Sequence, residues 1–154
     1  MGDLFELDRT WSFPCSAEAL WATLERVDLY TSWWPWLKRF DAHPPSLRRG
    51  ATARCVAKPA VVPIAMRFRI DIVDVVPARL LAIEVHGDLL GTASLHLTPV
   101  DDAHADVRVA WNVDLQHRSL GPLARLAGAL APRGQEWVVR TSMKHFRRGA
   151  LGDP

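Results

Sequence analysis

The sequence predicts an α+β domain in which a curved antiparallel sheet is closed on its apolar face by a late helix. Between Ala51 and Leu115 several segments alternate apolar and polar residues, the period of a strand with one covered face. The stretches between them, such as Asp101 to His104, are too short for the helical crossover that parallel strands need. Beyond Leu115 the apolar period lengthens to that of a helix. At 154 residues the chain suits one domain with its own core and is short for two, so 1–154 reads as a single unit.

The elements follow in order. Phe5, Leu7, Arg9, Trp11 and Phe13 form one side of a first strand, which Pro14 stops. Ser16 is placed to cap a helix, with Glu18 in the favoured first turn. Ala17, Leu20, Trp21 and Leu24 then make one buried stripe. Asp28 to Trp36 reads as a short second helix or a tight turn ended by Pro35, so two short helices are expected after the first strand. Pro44, Pro45 and Gly50 bracket a loop. Four strands are expected next. Their covered faces are Met66, Phe68, Ile70 and Ile72; Leu81, Ile83 and Val85; Ala93, Leu95 and Leu97; and Val107, Val109, Trp111, Val113 and Leu115. Pro122 opens a short helix weakened by Gly128, and Pro132 opens the last one. Val139, Met143, Phe146 and Ala150 share a face of that last helix. Trp137 points nearly the other way, and three placements stay open to it: a second helix, the Arg stems beside it, or a partner.

Composition excludes several functions. Apolar residues at 49% and charged residues at 23% are ordinary for a soluble globular domain. A formal charge of +2, with only the Arg147–Arg148 pair near the end and no basic stripe, argues against nucleic acid; that pair reads as a solvated helix terminus. Cys15 and Cys55 are too few for a thiolate zinc site and read as reduced. No positive-then-apolar leader is seen, and Leu120 to Ala131 is too short to span a bilayer. A cytoplasmic location without stable membrane insertion is the default expectation. The six histidines are scattered without zinc spacing, and the glycines form no nucleotide signature, so neither a metal nor a cofactor is expected.

Three segments carry a resemblance: AEALW at Ala17–Trp21 followed by WWPWL at Trp33–Leu37, GDLLG at Gly87–Gly91, and the terminal helical segment containing His145. With their element order, the chain resembles the polyketide cyclase/dehydrase and lipid-transport group, the START-like or Bet v 1-like (SRPBCC) proteins. The resemblance implies a helix-grip fold, a bent antiparallel sheet around a long final helix with an internal chamber. It also implies a function: members bind lipids, hormones or polyketides, some cyclise or dehydrate polyketides, and others activate chaperones or partner toxins. It supplies no shared catalytic residue for any position here. Gly128, Pro132 and Gly134 depart from the pattern and imply a shorter or bent final helix.

The candidate ligand-binding residues are Trp33, Met66, Phe68, Trp111, Arg118, Met143 and Phe146. Trp111 sits centrally on the most apolar strand face, where either a ligand or the core can use its ring. Met66 and Phe68 are adjacent candidates on a neighbouring strand, and Met143 and Phe146 suit a helical wall. Trp33, with Trp34 and Trp36, fits a chamber mouth or an aromatic clamp between helix and sheet. Arg118, beyond the last strand, fits an anion through paired N–H donors or is simply exposed. His86 and Asp88 flank Gly87 as a proton-transfer pair or as parts of a hairpin turn. His96 belongs to the outer face.

The leading expectation is binding or transport of a small hydrophobic molecule, lipid or polyketide-like, in an internal cavity, with no catalytic residue assigned. The alternatives are a polyketide cyclase/aromatase-type enzyme using Arg118 or the His86–Asp88 pair, and a protein-interaction module or homodimer formed through Trp137.

Overall fold

The computed structural model describes residues 3–58, 65–116 and 139–151, without the side chains of 3–5 and 115. Strand β1 (Asp3–Phe13) leads into helix α1 (Ala17–Leu24), a 3-10 turn (Val27–Leu29) and helix α2 (Tyr30–Trp33). Strands β2 (Leu37–His43), β3 (Thr52–Ala57), β4 (Met66–Val76), β5 (Leu80–Gly87), β6 (Leu89–Asp101) and β7 (His104–Leu115) follow. Residues 139–150 are helical and are called α3. All seven strands join one curved sheet in the order β1-β7-β6-β5-β4-β3-β2, every pair antiparallel.

Local chemistry sets the first half. Pro14 follows the end of β1, and the Ser16 hydroxyl accepts from the Ala19 N–H at 3.1 Å, capping α1. Ala17, Leu20, Trp21 and Leu24 are all buried, as the helical spacing required. The buried Tyr30 hydroxyl donates to the Leu24 carbonyl, tying the start of α2 to the end of α1. Burial, reinforced by the nearby Glu25, holds that phenol far above its ordinary pKa. Trp34 is extended (φ −118°, ψ 100°), as a residue before proline prefers, and α2 stops there.

Two strands escaped the sequence reading. β2 has a register shift between Leu37 and Arg39, so its covered side switches from Leu37 to Phe40 and Ala42. No single period-two pattern survives that switch. β3 covers its inner side with Ala53, Cys55 and Ala57, all buried but too small to announce a strand by hydrophobicity. The four expected strands correspond to β4–β7, and β4 runs on to Val76 past a second irregularity between Ile72 and Asp74.

GDLLG forms the β5–β6 hairpin. Gly87 has φ +130°, and an added Cβ there would lie 2.7 Å from the Arg67 carbonyl oxygen. Gly91 lets β7 approach closely, since its Cβ would meet the Asn112 carbonyl oxygen at 2.0 Å.

The sheet's inner face packs on the helices. Phe13, Leu20, Trp21, Trp33, Leu97, Val107 and Phe146 belong to one buried cluster, with Met143 and Ala150 of α3 against it. Val139 is buried too, so the four residues expected on one helical face do turn towards the protein. No polar or charged residue among the described ones is fully buried. The arrangement is that of a helix-grip domain. The expected breaks at Gly128, Pro132 and Gly134, and the position of Trp137, lie outside the described residues. Among the described residues no helix is long and apolar enough to cross a membrane.

Candidate functional site

Cross-strand register builds a continuous apolar row on the inner face. Ile72 opposes Ile83, Ile83 opposes Ala93, Ala93 opposes Trp111, and Trp111 opposes Leu7. Leu7 is buried, whereas Ile72, Ile83, Ala93 and Trp111 are only half-buried. Alanine is the shortest member and lies between two large side chains. Towards one end of the same face, Phe13, Leu97, Ala105 and Val107 are sealed at 3% exposure or less. Among the described residues the inner surface is thus tightly buried at that end and only partly buried across the middle.

Aromatic rings do the sealing. Phe146 meets Phe13 edge-on at 5.9 Å, Trp33 edge-on at 5.6 Å and Trp34 in a stack at 6.0 Å between centroids. Tyr30 adds contacts to Trp33, Trp34 and Phe40. The Trp34 indole N–H donates to the Ser142 carbonyl at 2.9 Å, and the Trp36 indole N–H donates to the Ser142 hydroxyl at 2.8 Å. Each indole therefore packs its part-buried ring against the cluster and still satisfies its donor. Arg147 is no simply solvated helix end: it donates to the Ser12 carbonyl at 2.8 Å and lies 4.6 Å above the Phe13 ring centre.

The residues singled out from sequence fall into separate groups. Trp33 and Phe146 pack on each other at 5% and 4% exposure, and Met143 lies against the same cluster. Met66 is buried with Ala57, and Phe68, Trp36 and Leu89 pack against them. Phe68 touches both clusters. Trp111 stands in the partly buried row on β7, and β5 and β6 separate it from the strand of Met66 and Phe68, which is not its neighbour as expected. Arg118 lies outside the described residues. Sequence reasoning missed Ser142, for which no motif gives a signal, and the row as a unit, because alternation assigns faces but not register.

The His86–Asp88 pairing is corrected. The His86 Nε2 lies 3.3 Å from a Glu84 carboxylate oxygen and 3.4 Å from one of Asp71. Asp88, in the β5–β6 turn, instead accepts from the backbone N–H of Arg67 on β4 at 2.8 Å. Because Val85 faces inwards and is buried, its neighbour His86 belongs to the opposite, outer face. His96 is exposed there as expected. A depression of about 330 Å³ lies across β5, β6 and β7, lined by outward-set residues such as Ala82, Ser94 and Ala110 and also by Ile83, Ala93 and Trp111 of the inner row. Neither cysteine is in a disulfide; burial raises the Cys55 thiol to about 12 and also pushes up that of the half-buried Cys15, with Arg147 opposing.

This architecture is shared with solved proteins of a single fold. A conserved protein from Geobacillus kaustophilus superposes with a TM-score of 0.77 at 11% identity, covering 96% of both chains. The ZhuI aromatase/cyclase of a Streptomyces species gives 0.64 at 14% identity, over 94% of this chain and 95% of that one. Norcoclaurine synthase from Thalictrum flavum, in complex with dopamine and hydroxybenzaldehyde, gives 0.57 at 11% identity, over 92% and 88%. At such identities the likeness shows the fold, of the SRPBCC or Bet v 1-like kind. No curated protein matches the chain. The sequence profile described as polyketide cyclase / dehydrase and lipid transport matches residues 5–150, and the chain belongs to that family.

Proposed function

We propose that the chain is one START-like domain that binds or carries a small hydrophobic molecule, lipid or polyketide-like, between the inner face of the sheet and the last helix. The carrying observation is the half-buried apolar row from Ile72 through Ile83 and Ala93 to Trp111. An apolar ligand laid on that row removes its surface from water, at about 25 cal/mol per Å² of apolar area. Family membership supports the same reading. Of the sequence-derived candidates, Trp111 is the one that would touch the ligand, while Trp33, Met66 and Phe146 would hold the wall rigid from behind.

Native mass spectrometry of gently purified protein tests this directly. A retained small molecule, or saturable uptake of an added fatty acid at one per chain, is the expected result. Protein that retains nothing and takes up no apolar probe overturns the reading.

A further inference from the structure

We propose that the outer face of the sheet carries a binding site for a divalent transition-metal ion, formed by Asp71, Glu84 and His86. Asp71 of β4 and Glu84 of β5 are direct cross-strand partners, and His86 lies two residues along β5 from Glu84. All three side chains therefore rise from the same side of two adjoining strands. The imidazole Nε2 is 3.4 Å from the Asp71 Oδ2 and 3.3 Å from the Glu84 Oε2. One donor atom from each residue lies within 4.8 Å of the others.

Those spacings suit a shared ion. Nitrogen and oxygen ligands bind zinc at about 2.0–2.2 Å, which sets neighbouring donors roughly 3 Å apart. One imidazole with two carboxylates favours a first-row ion such as Zn²⁺ over Mg²⁺ or Ca²⁺, which prefer oxygen alone. Asp71 and His86 are half-buried and Glu84 is exposed, so water can complete the coordination shell. Elsewhere on the surface, His43 with Asp41 and His104 with Asp101 form pairs of one imidazole and one carboxylate.

A competitor is built in. Arg69 donates to both oxygens of Asp71, from Nε at 3.0 Å and from Nη2 at 3.2 Å. An ion must share Asp71 with this guanidinium or displace it. Arg69 thus sets the affinity from outside the donor set, and its removal distinguishes this site from nonspecific binding to surface carboxylates. The site faces away from the inner row and stands independently of the hydrophobic-ligand reading.

Chelator-treated protein titrated with Zn²⁺, followed by calorimetry and by the imidazole NMR signals, is the test. The expected result is one equivalent bound, with the His86 signal moving before those of His43 and His104. His86→Ala and Glu84→Gln should each weaken binding about tenfold or more, and Arg69→Ala should strengthen it. Zn²⁺ binding unchanged by His86→Ala, or an unshifted His86 signal at millimolar Zn²⁺, overturns the proposal. The wild-type NMR titration needs no variant to fold.

Discussion

Ser142 is held by two tryptophans at once: its carbonyl receives the Trp34 indole N–H and its hydroxyl receives that of Trp36. The segment after α2 is thereby fastened to the last helix by polar contacts at the edge of an apolar cluster. Shape alone would let the helix slide along its aromatic neighbours, whereas two directed hydrogen bonds fix its axial position.

Replacing Ser142 by Ala removes only the Trp36 partner, because the bond from Trp34 goes to the backbone. Stability should fall by about 1 kcal/mol, plus any cost of leaving the part-buried indole donor unsatisfied. Urea denaturation measures the loss, and an unchanged midpoint would show that water replaces the hydroxyl without cost.

Phe146→Ala should be far more damaging. The ring contacts Phe13, Trp33 and Trp34, and its loss leaves a cavity where three elements meet. The expected cost is about 3–5 kcal/mol. It should appear as a large drop in thermal midpoint with altered tryptophan emission.

Gly91→Ala should destabilise the hairpin side of the sheet by about 3 kcal/mol. The added Cβ would sit 2.0 Å from the Asn112 carbonyl oxygen, and two backbones cannot move aside as a flexible side chain can. Hydrogen exchange should show β6 and β7 losing protection together.

Ala93→Phe tests the proposed ligand surface without touching the sealed cluster. Its ring would enter the space between Ile83 and Trp111, the two residues that flank Ala93 in the register. Uptake of an apolar probe should fall at least about tenfold while the far-ultraviolet spectrum stays native. Undiminished uptake would place the ligand elsewhere.

Cys55 predicts an alkaline limit to stability. Its folded-state thiol ionises only at about 12 because burial disfavours the thiolate. The unfolded thiol ionises at its ordinary lower value, so the group is neutral in both states below that point and has no effect. As pH climbs from there towards 12, the unfolded state alone loses its proton and stability declines. Denaturation midpoints measured through that range should fall, and Cys55→Ala should fall less. Alkylation of native protein should modify Cys15 well before Cys55.

The parts legible in the sequence were those whose pattern is local. Ala17, Leu20, Trp21 and Leu24 announce their helix because a single period covers the whole segment. The alternation in β7 likewise names its inner side, from Val107 to Trp111. β2 was hidden because its irregularity after Leu37 inverts the pattern within seven residues. β3 was hidden because Ala53, Cys55 and Ala57 are buried by what lies over them rather than by their own size. His86 shows the deeper limit. Sequence proximity suggested Asp88, while strand pairing delivers Asp71 from fifteen positions away and turns the imidazole to the outside. Adjacency along a chain and adjacency across a sheet obey different rules, and only the register supplies the second.

The pairing of β1 with β7 has a temporal consequence. Each of β3 to β7 lies beside the strand that immediately precedes it in the chain, so five hairpin-like pairings can close as the polypeptide lengthens. The amino-terminal strand has no neighbour until the segment ending at Leu115 has been synthesised. It must wait, its edge unsatisfied, through most of translation. The closing of that longest loop, with its large entropic cost, is the step expected to limit how fast the nascent protein matures.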